Sequence, residues 1–168
     1  MDTMEAILTR RSIRKYTKQP VSDQVVKELL EAAMYTPSAA NRQPWCFVVI
    51  NDSKILNEIP RYHPWAQMLK EAPVAILVCL DSDLQMGKYG VQDCAAATQT
   101  ILLAAHAKGL GAVWCGLYLT ESRITAIKNL LNLPEHIIPI SLISIGYPAE
   151  QKPQPDRYRA DRVHYNQW

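Results

Sequence analysis

Continuous apolar runs, rather than alternating ones, mark the strands that this sequence predicts. They cover residues 45–51 (WCFVVIN), 73–80 (PVAILVCL), 112–118 (AVWCGLY) and 139–147 (PISLISIGY). A strand that is apolar along its whole length is covered on both sides. The pattern therefore predicts a sheet that carries helices against each of its faces.

The helical segments differ in how much polar surface their patterns leave. Residues 22–36 carry their apolar side chains on one stripe, begin at Ser22 and stop before Pro37, which predicts a helix packed by one face. Residues 88–108 are rich in alanine and nearly apolar all round, which predicts the central helix of the fold. Shorter helices are predicted over residues 2–10 and 121–131.

The last 21 residues, 148–168 (PAEQKPQPDRYRADRVHYNQW), have a different composition from the rest. They contain three prolines, many charges and an aromatic end. Such a segment cannot close a core of its own, so we expect it to lie as an arm along another surface, such as that of a second subunit. The remaining chain has no repeat or linker, so residues 1–168 are predicted to form a single domain with this arm.

Charge and cysteine content exclude several classes of function. The 168 residues include 18 Lys and Arg against 16 Asp and Glu, a balance too even for nucleic acid or a membrane surface as the main partner. The four cysteines form no CxxC pair, so neither a metal site nor a disulfide framework is predicted. The sequence shows no signal peptide, and its longest uncharged stretch is too short to span a bilayer. We therefore expect a cytoplasmic protein.

Positive charge is concentrated in one stretch, residues 10–16 (RRSIRKY). Arg10, Arg11, Arg14 and Lys15 fall around a single serine, Ser12. Guanidinium groups match phosphate oxygens in a bidentate geometry, and a serine hydroxyl adds a neutral donor. The stretch is either a solvated cationic loop or an anion site, and a small phosphorylated cofactor fits an anion site better than nucleic acid does.

Two other segments could contact a flat polar ligand. Residues 36–45 (TPSAANRQPW) join a helix to a strand and present Ser38, Asn41 and Gln43 between two prolines. These groups suit a heterocycle with ring N–H and carbonyl groups, although a plain connecting loop would look the same. The glycines of 109–118 (GLGAVWCGLY) allow close approach of a ligand to the backbone. Residues 62–65 (YHPW) lie in an irregular region between elements and are expected to form a mobile rim.

Taken in order, these motifs resemble the nitroreductase-like family of FMN-dependent oxidoreductases. RRSIRKY near the start is followed by PSAANRQPW, LKEAPV, GLGAVWCG and a late GYPAE…DRY, so the resemblance covers nearly the whole chain. It implies an α+β fold with a central mixed, mostly antiparallel sheet, helices on both faces and an intertwined homodimer. The tail from residue 148 is implied to cross to the partner.

The resemblance also implies which residues hold the cofactor. The first motif and one late arginine are implied to bind the phosphate and ribityl chain of FMN. Three further groups are implied to contact the flavin ring. One of these groups, the second motif, comes from the other subunit. The implied residues are Arg10, Arg11, Ser12, Arg14 and Arg157 for the phosphate and ribityl chain; Pro37, Ser38, Ala39 and Asn41 from the partner; Gln67 and Lys70 near the pyrimidine edge; and the backbone of Trp114, Cys115 and Gly116 near flavin N5.

The implied activity is hydride transfer from NADH or NADPH to flavin N5, followed by reduction of a nitroaromatic, quinone or similar acceptor in a ping-pong cycle. No protein nucleophile or metal is implied, because the flavin carries the electrons. Two alternatives stay open. One is a specialised flavoenzyme of the same family, acting on flavin, an enone or a halogenated aromatic, and the other is a non-catalytic protein that stores or senses FMN.

Overall fold

The computed structural model describes residues 1–168 and contains five α-helices and four β-strands. Asp2, Ser22 and Asp52 cap the first three helices, since each side chain accepts a backbone N–H of the first turn. In chain order the elements are α1 (Thr3–Thr9), α2 (Asp23–Met34), β1 (Trp45–Ile50), α3 (Ser53–Glu58), β2 (Val74–Asp81), α4 (Gly90–Ala107), β3 (Gly111–Gly116), α5 (Glu121–Leu131) and β4 (Ile137–Gly146).

The four strands form one sheet in the order β1-β2-β4-β3, and every neighbouring pair is antiparallel. A parallel bridge between Ser12 and Ala112 extends this sheet beyond β3. The α+β class and the mostly antiparallel sheet are therefore confirmed. The four predicted strands are present, and every observed strand end lies within two residues of the expected one.

Both faces of the sheet are buried, which explains the continuous apolar runs. In β2, Val74, Ile76 and Val78 point into a core formed with α2 and α4. Ala75 and Leu77 point into a second core on the opposite face, formed with α3, α5 and the segment between α3 and β2. Alternate residues of one strand thus serve two cores.

Helix α4 is the central helix, as its alanine-rich pattern predicts. It packs against α1, α2 and all four strands, and eight of its residues are buried, including Ile101 and Leu102. Neither this helix nor any other is long and apolar enough to cross a lipid bilayer.

The segment between β1 and β2 is more ordered than the sequence predicts. Helix α3 is followed by 3-10 turns at Ile59–Arg61 and Pro64–Lys70. Tyr62 and His63 lie between the two turns, and the mobile rim expected at 62–65 stays a prediction. Each turn carries a proline at one of its first two positions, where the missing N–H costs nothing. These elements are too short to give a periodic pattern, which is why the sequence does not reveal them.

The C-terminal arm attaches first to its own chain. Pro148 forms a bridge with Tyr16, and the N–H of Ala149 donates to the carbonyl of Lys15 at 2.9 Å. From residue 159 to the end every residue is exposed, and Trp168 is fully exposed. The arm thus begins along residues 11–16 and ends on no surface of its own chain, so its crossing to a partner stays a prediction.

Candidate functional site

Three arginines meet around one cavity at the start of the arm. Arg10 and Arg11 line one side of this 590 Å³ cavity, and residues 154–158, including Arg157, line the other. Burial lowers the pKa of Arg10 below its usual value, and the charges of Arg157 and Arg11 lower it further. Three like charges held this close repel one another, so the arrangement favours an anion between them.

Arg11 has two tasks in this cluster. Its Nε donates to the carbonyl of Pro153 at 2.9 Å, and its Nη1 donates to that of Leu8 at 3.1 Å. The remaining Nη2 is buried and has no partner. Arg11 therefore fastens the arm to the end of α1 and keeps one donor free, and a buried donor of this kind calls for an acceptor.

Ser12 and Arg14 belong to a stretch that is held by the arm, and Ser12 also forms a bridge to Ala112 of β3. The carbonyl of Ser12 accepts a hydrogen bond from Lys152 Nζ at 2.6 Å. The backbone N–H groups of Arg14 and Lys15 both donate to Glu150 Oε1, at 2.5 and 3.2 Å, and the bond from Arg14 is the main reason that the pKa of Glu150 is lowered. The arm and the first motif thus fix each other's backbone.

A second cleft of 480 Å³ opens on the side chain of Arg14. Trp65, Gln67 and Met68 line it, together with Lys15, Pro64 and Glu71. Gln67 therefore comes together with Arg14, as the sequence analysis expects of residues that contact one cofactor. Lys70 is exposed and does not line this cleft.

The outer edge of β3 presents free backbone donors. The N–H of Ile13 donates to the carbonyl of Ala112 at 3.1 Å, so the polar groups of Ala112 point away from β4. Peptide groups alternate direction along an antiparallel strand, and the N–H groups of Trp114 and Gly116 therefore point outward as well. A methyl group added at Gly116 would meet nothing within 4 Å, which leaves room for a ligand at this edge.

Cys115 lies behind this edge and does not act as a nucleophile. It is buried, and burial raises the pKa of its thiol to about 11. A thiol with such a pKa is protonated near neutral pH. Its Sγ contacts the Trp65 carbonyl at 3.9 Å and Met68 Sδ at 4.0 Å, so Cys115 joins β3 to the wall of the second cleft.

His63 lies in the segment 62–65, where the sequence indicates a rim and not a buried ring. Its ring is 2% exposed, and Nε2 donates to the carbonyl of Gly116 at 2.9 Å. Its Nδ1 is buried without a partner. Burial is the main reason that the pKa of His63 is lowered, so the ring is neutral and fixes the end of β3. The only signal in the sequence is a histidine before Pro64, which does not by itself indicate burial.

The loop at 36–43, whose residues are predicted to contact the flavin, lines neither of the two clefts. None of the residues that line the two clefts comes from it. The loop rests on α4 instead, through a hydrogen bond between the hydroxyls of Thr36 and Thr100 at 2.9 Å and one from the Ala39 N–H to Asp93 at 3.1 Å. Within one chain, therefore, Pro37, Ser38, Ala39 and Asn41 do not join the cationic cluster.

Comparison with protein families gives a match along most of the chain. The profile of the nitroreductase family ("Nitroreductase family") matches residues 7–66 and 57–147. These ranges include the first motif, the 36–43 loop and β3, but not the arm.

Individual relatives match over nearly their full length. A provisionally named NADH dehydrogenase/NAD(P)H nitroreductase of Methanothermobacter thermautotrophicus is 49% identical over 100% of this chain and 88% of its own. A crystal structure under the same provisional name, from Parabacteroides distasonis, superposes with a TM-score of 0.96 at 40% identity and covers 99% of this chain and 98% of that one. A provisionally named nitroreductase of Desulfovibrio desulfuricans, solved in complex with FMN, gives a TM-score of 0.87 at 33% identity over 100% and 98% of the two chains.

Proposed function

The chain belongs to the nitroreductase family, and from this premise we propose that it is an NAD(P)H oxidoreductase that uses bound FMN. The single observation that carries the proposal is the convergence of Arg10, Arg11 and Arg157 on one cavity. These residues come from opposite ends of the sequence. The cost of bringing their charges together needs a resident anion to offset it.

The residues present fit the phosphate of FMN. A phosphate dianion accepts paired hydrogen bonds from guanidinium groups, and Arg11 keeps a buried Nη2 without any partner in the chain. Arg10 and Arg11, which line the cavity of 590 Å³, are followed directly in the chain by Ser12. We assign the phosphate to Arg10, Arg11 and Arg157, and the ribityl chain to Ser12 and Arg14.

The second cleft and the outer edge of β3 fit the flavin ring system. The outward N–H groups of Trp114 and Gly116 are donors at the open edge of β3, where flavin N5 would need one. Gln67 and Arg14 line the neighbouring cleft and suit the carbonyl-rich pyrimidine part. Lys70 is the weakest of the proposed contacts, since it stands outside this cleft.

FMN, when bound, would supply the redox chemistry, namely hydride acceptance from NADH or NADPH at N5 and electron delivery to a second substrate in a ping-pong cycle. The protein contributes position and charge. Arg14 favours negative charge on a group held in the cleft, which raises the tendency of that group to accept a hydride. His63 holds the carbonyl of Gly116 and so fixes the edge of β3 against which the ring would rest.

We further propose that the active form is a homodimer in which the 36–43 loop completes the partner's site. Support comes from surfaces that the single chain leaves uncovered. Helix α1 exposes Met4, Ile7 and Leu8 to 60, 47 and 53%, and the last ten residues of the arm are all exposed. Apolar surface of this extent is typical of an interface, and the arm from residue 148 would wrap the partner.

Nitroaromatics and quinones are the proposed acceptors. Both are flat and accept electrons from a donor stacked against them, and the exposed aromatic side chain of Trp65 borders the cleft. The proposed donor is NADH or NADPH.

An absorption spectrum of the purified protein tests the proposal. We expect flavin bands that bleach when NADH or NADPH is added without oxygen and that recover when a nitroaromatic is added. Bands that fail to bleach with either nucleotide would favour FMN storage or sensing. A colourless protein that takes up no added FMN would overturn the assignment.

A further inference from the structure

The carboxylate of Asp93 is buried in the first turn of α4. The residue is 7% exposed, its Oδ1 accepts the N–H of Ala39 at 3.1 Å, and its Oδ2 is buried with no partner. Burying a carboxylate with an unpaired oxygen is unfavourable for the fold. The hydrogen bond from Ala39 to this carboxylate fixes the position of the loop that follows Ala39.

That loop has an unfavourable backbone conformation. Ala40, Asn41 and Gln43 have φ values of 49°, 53° and 48°, a left-handed region that residues other than glycine rarely adopt. Such a conformation persists only where the surroundings impose it. Inside the loop, Ser38 Oγ accepts the N–H of Gln43 at 2.8 Å.

Two contacts with α4 hold the loop from outside. Thr36 is bonded to Thr100 near one end, and Ala39 is bonded to Asp93 at the turn itself. Residues 40–43, beyond these anchors, are exposed, so the anchored loop presents Asn41 and Gln43 outward. Of these two contacts with α4, the bond to Asp93 is the one next to the strained residues, since Ala39 directly precedes Ala40.

We propose that Asp93 is a positioning residue for the FMN site of the partner subunit. The inference rests on the proposed function, in which the 36–43 loop completes a site whose arginines belong to the other chain. Asp93 does not touch the cofactor. It fixes the loop that does, so its loss affects the site across the interface and leaves the arginine cluster of its own chain intact.

Single variants test whether the bond to Ala39 matters. Asp93→Ala is expected to weaken FMN binding about tenfold while the dimer persists, since one buried hydrogen bond is lost and the loop is released. Asp93→Asn keeps an oxygen for the Ala39 N–H and is expected to restore affinity to within about threefold. Gln92→Ala, an exposed neighbour on α4, should bind like the wild type. Wild-type affinity in Asp93→Ala, or no recovery in Asp93→Asn, would overturn the proposal.

Mixed dimers test whether the effect crosses the interface. Two differently tagged chains, one Arg10→Ala and the other Asp93→Ala, are co-expressed, and the mixed dimer is isolated by both tags. If Asp93 acts on the partner's site, both defects fall in one site and the other site is intact. FMN titration followed by flavin fluorescence should then find about half the wild-type number of sites, at wild-type affinity.

An effect of Asp93 within its own chain would give a different number of intact sites. If Asp93 acts within its own chain, each site of the mixed dimer carries one defect and no site of wild-type affinity remains, which would overturn the proposal. The proposed function would still stand, because wild-type protein titrated in parallel would bind FMN. If the wild type binds none, the function and this inference fail together.

Discussion

Residues 10–16 and residues 36–43 are both irregular segments that connect a helix to a strand or helix, and both are expected to contact FMN. The first is built into its own chain: it bridges to β3, receives the arm and lines a cavity with Arg157. The second is bonded to α4, exposes residues 40–43 and does not line that cavity. If the proposed homodimer is the active form, each chain carries half of a binding site, and the two halves differ in how they are held.

The largest effect is expected at the first segment. Arg10→Ala should weaken FMN binding about a hundredfold, because charge-assisted hydrogen bonds to the phosphate are lost. The affinity is measured by quenching of flavin fluorescence. Arg61→Ala, at an exposed arginine paired only with Glu58, serves as the control, and equal affinities in the two variants would remove the cationic cluster from the site.

A smaller effect is expected at the second segment. Asn41→Ala should weaken FMN binding about tenfold, the consequence of one lost neutral hydrogen bond and a less ordered loop, without changing the dimer. Asn51→Ala, at an exposed asparagine just after β1, provides the comparison. The comparison of the two segments would fail if Asn41→Ala bound FMN as tightly as Asn51→Ala in the same titration.

We expect the stability of the fold to depend on pH through His63, the buried histidine that is bonded to the end of β3. Burial lowers the pKa of His63 below its ordinary value, so the unfolded chain binds the proton first as the pH falls. The stability from the neutral ring is full above about pH 6.5 and is lost as the pH falls through that value towards the folded-state pKa.

His63→Gln keeps a donor for the Gly116 carbonyl and removes this titration. We expect its free energy of unfolding, from urea denaturation, to change less between about pH 7 and pH 5 than that of the wild type. His106→Gln, at a histidine whose pKa is also lowered by burial, should flatten the dependence too but leave flavin binding unchanged. An unaltered pH dependence in His63→Gln would contradict a neutral buried ring.

The smallest effect is expected where the arm meets the first segment. Glu150 accepts the N–H groups of Arg14 and Lys15, yet it lies at the surface, and Glu150→Gln still offers an oxygen to them. The variant should lose less than about 1 kcal/mol of unfolding free energy at neutral pH. Because these bonds lower the pKa of Glu150, the difference should vanish as the pH falls below about 4. A loss several times larger would mean that the arm depends on this one charge.

The sequence predicts more of the fold than of the site's geometry. Apolar runs locate all four strands, since burial on both faces of β2 leaves a signal in every residue from Val74 to Leu80. Helix α3 and the 3-10 turns leave no such signal because they are only three to seven residues long. Periodicity needs several turns before it can be recognised.

Site residues are predictable by chemical type and much less by contact. The charge of RRSIRKY predicts an anion site, and the structure brings Arg10 and Arg157 to one cavity from opposite ends of the chain. The sequence does not distinguish Arg11 from Arg10, although Nε and Nη1 of Arg11 donate to backbone carbonyls. His63 and Asp93 are missed because their importance comes from burial against distant residues, which single-residue chemistry does not encode.

The central claim is that the cationic cluster of one chain and the 36–43 loop of the other make a single FMN site. Sedimentation velocity of the FMN-loaded protein, recorded at the visible flavin band over a dilution series, tests it most directly. We expect flavin absorbance to sediment only with the dimer and to appear as free FMN once dilution produces monomer. Flavin that sediments with the monomer would show that one chain suffices and would contradict the claim.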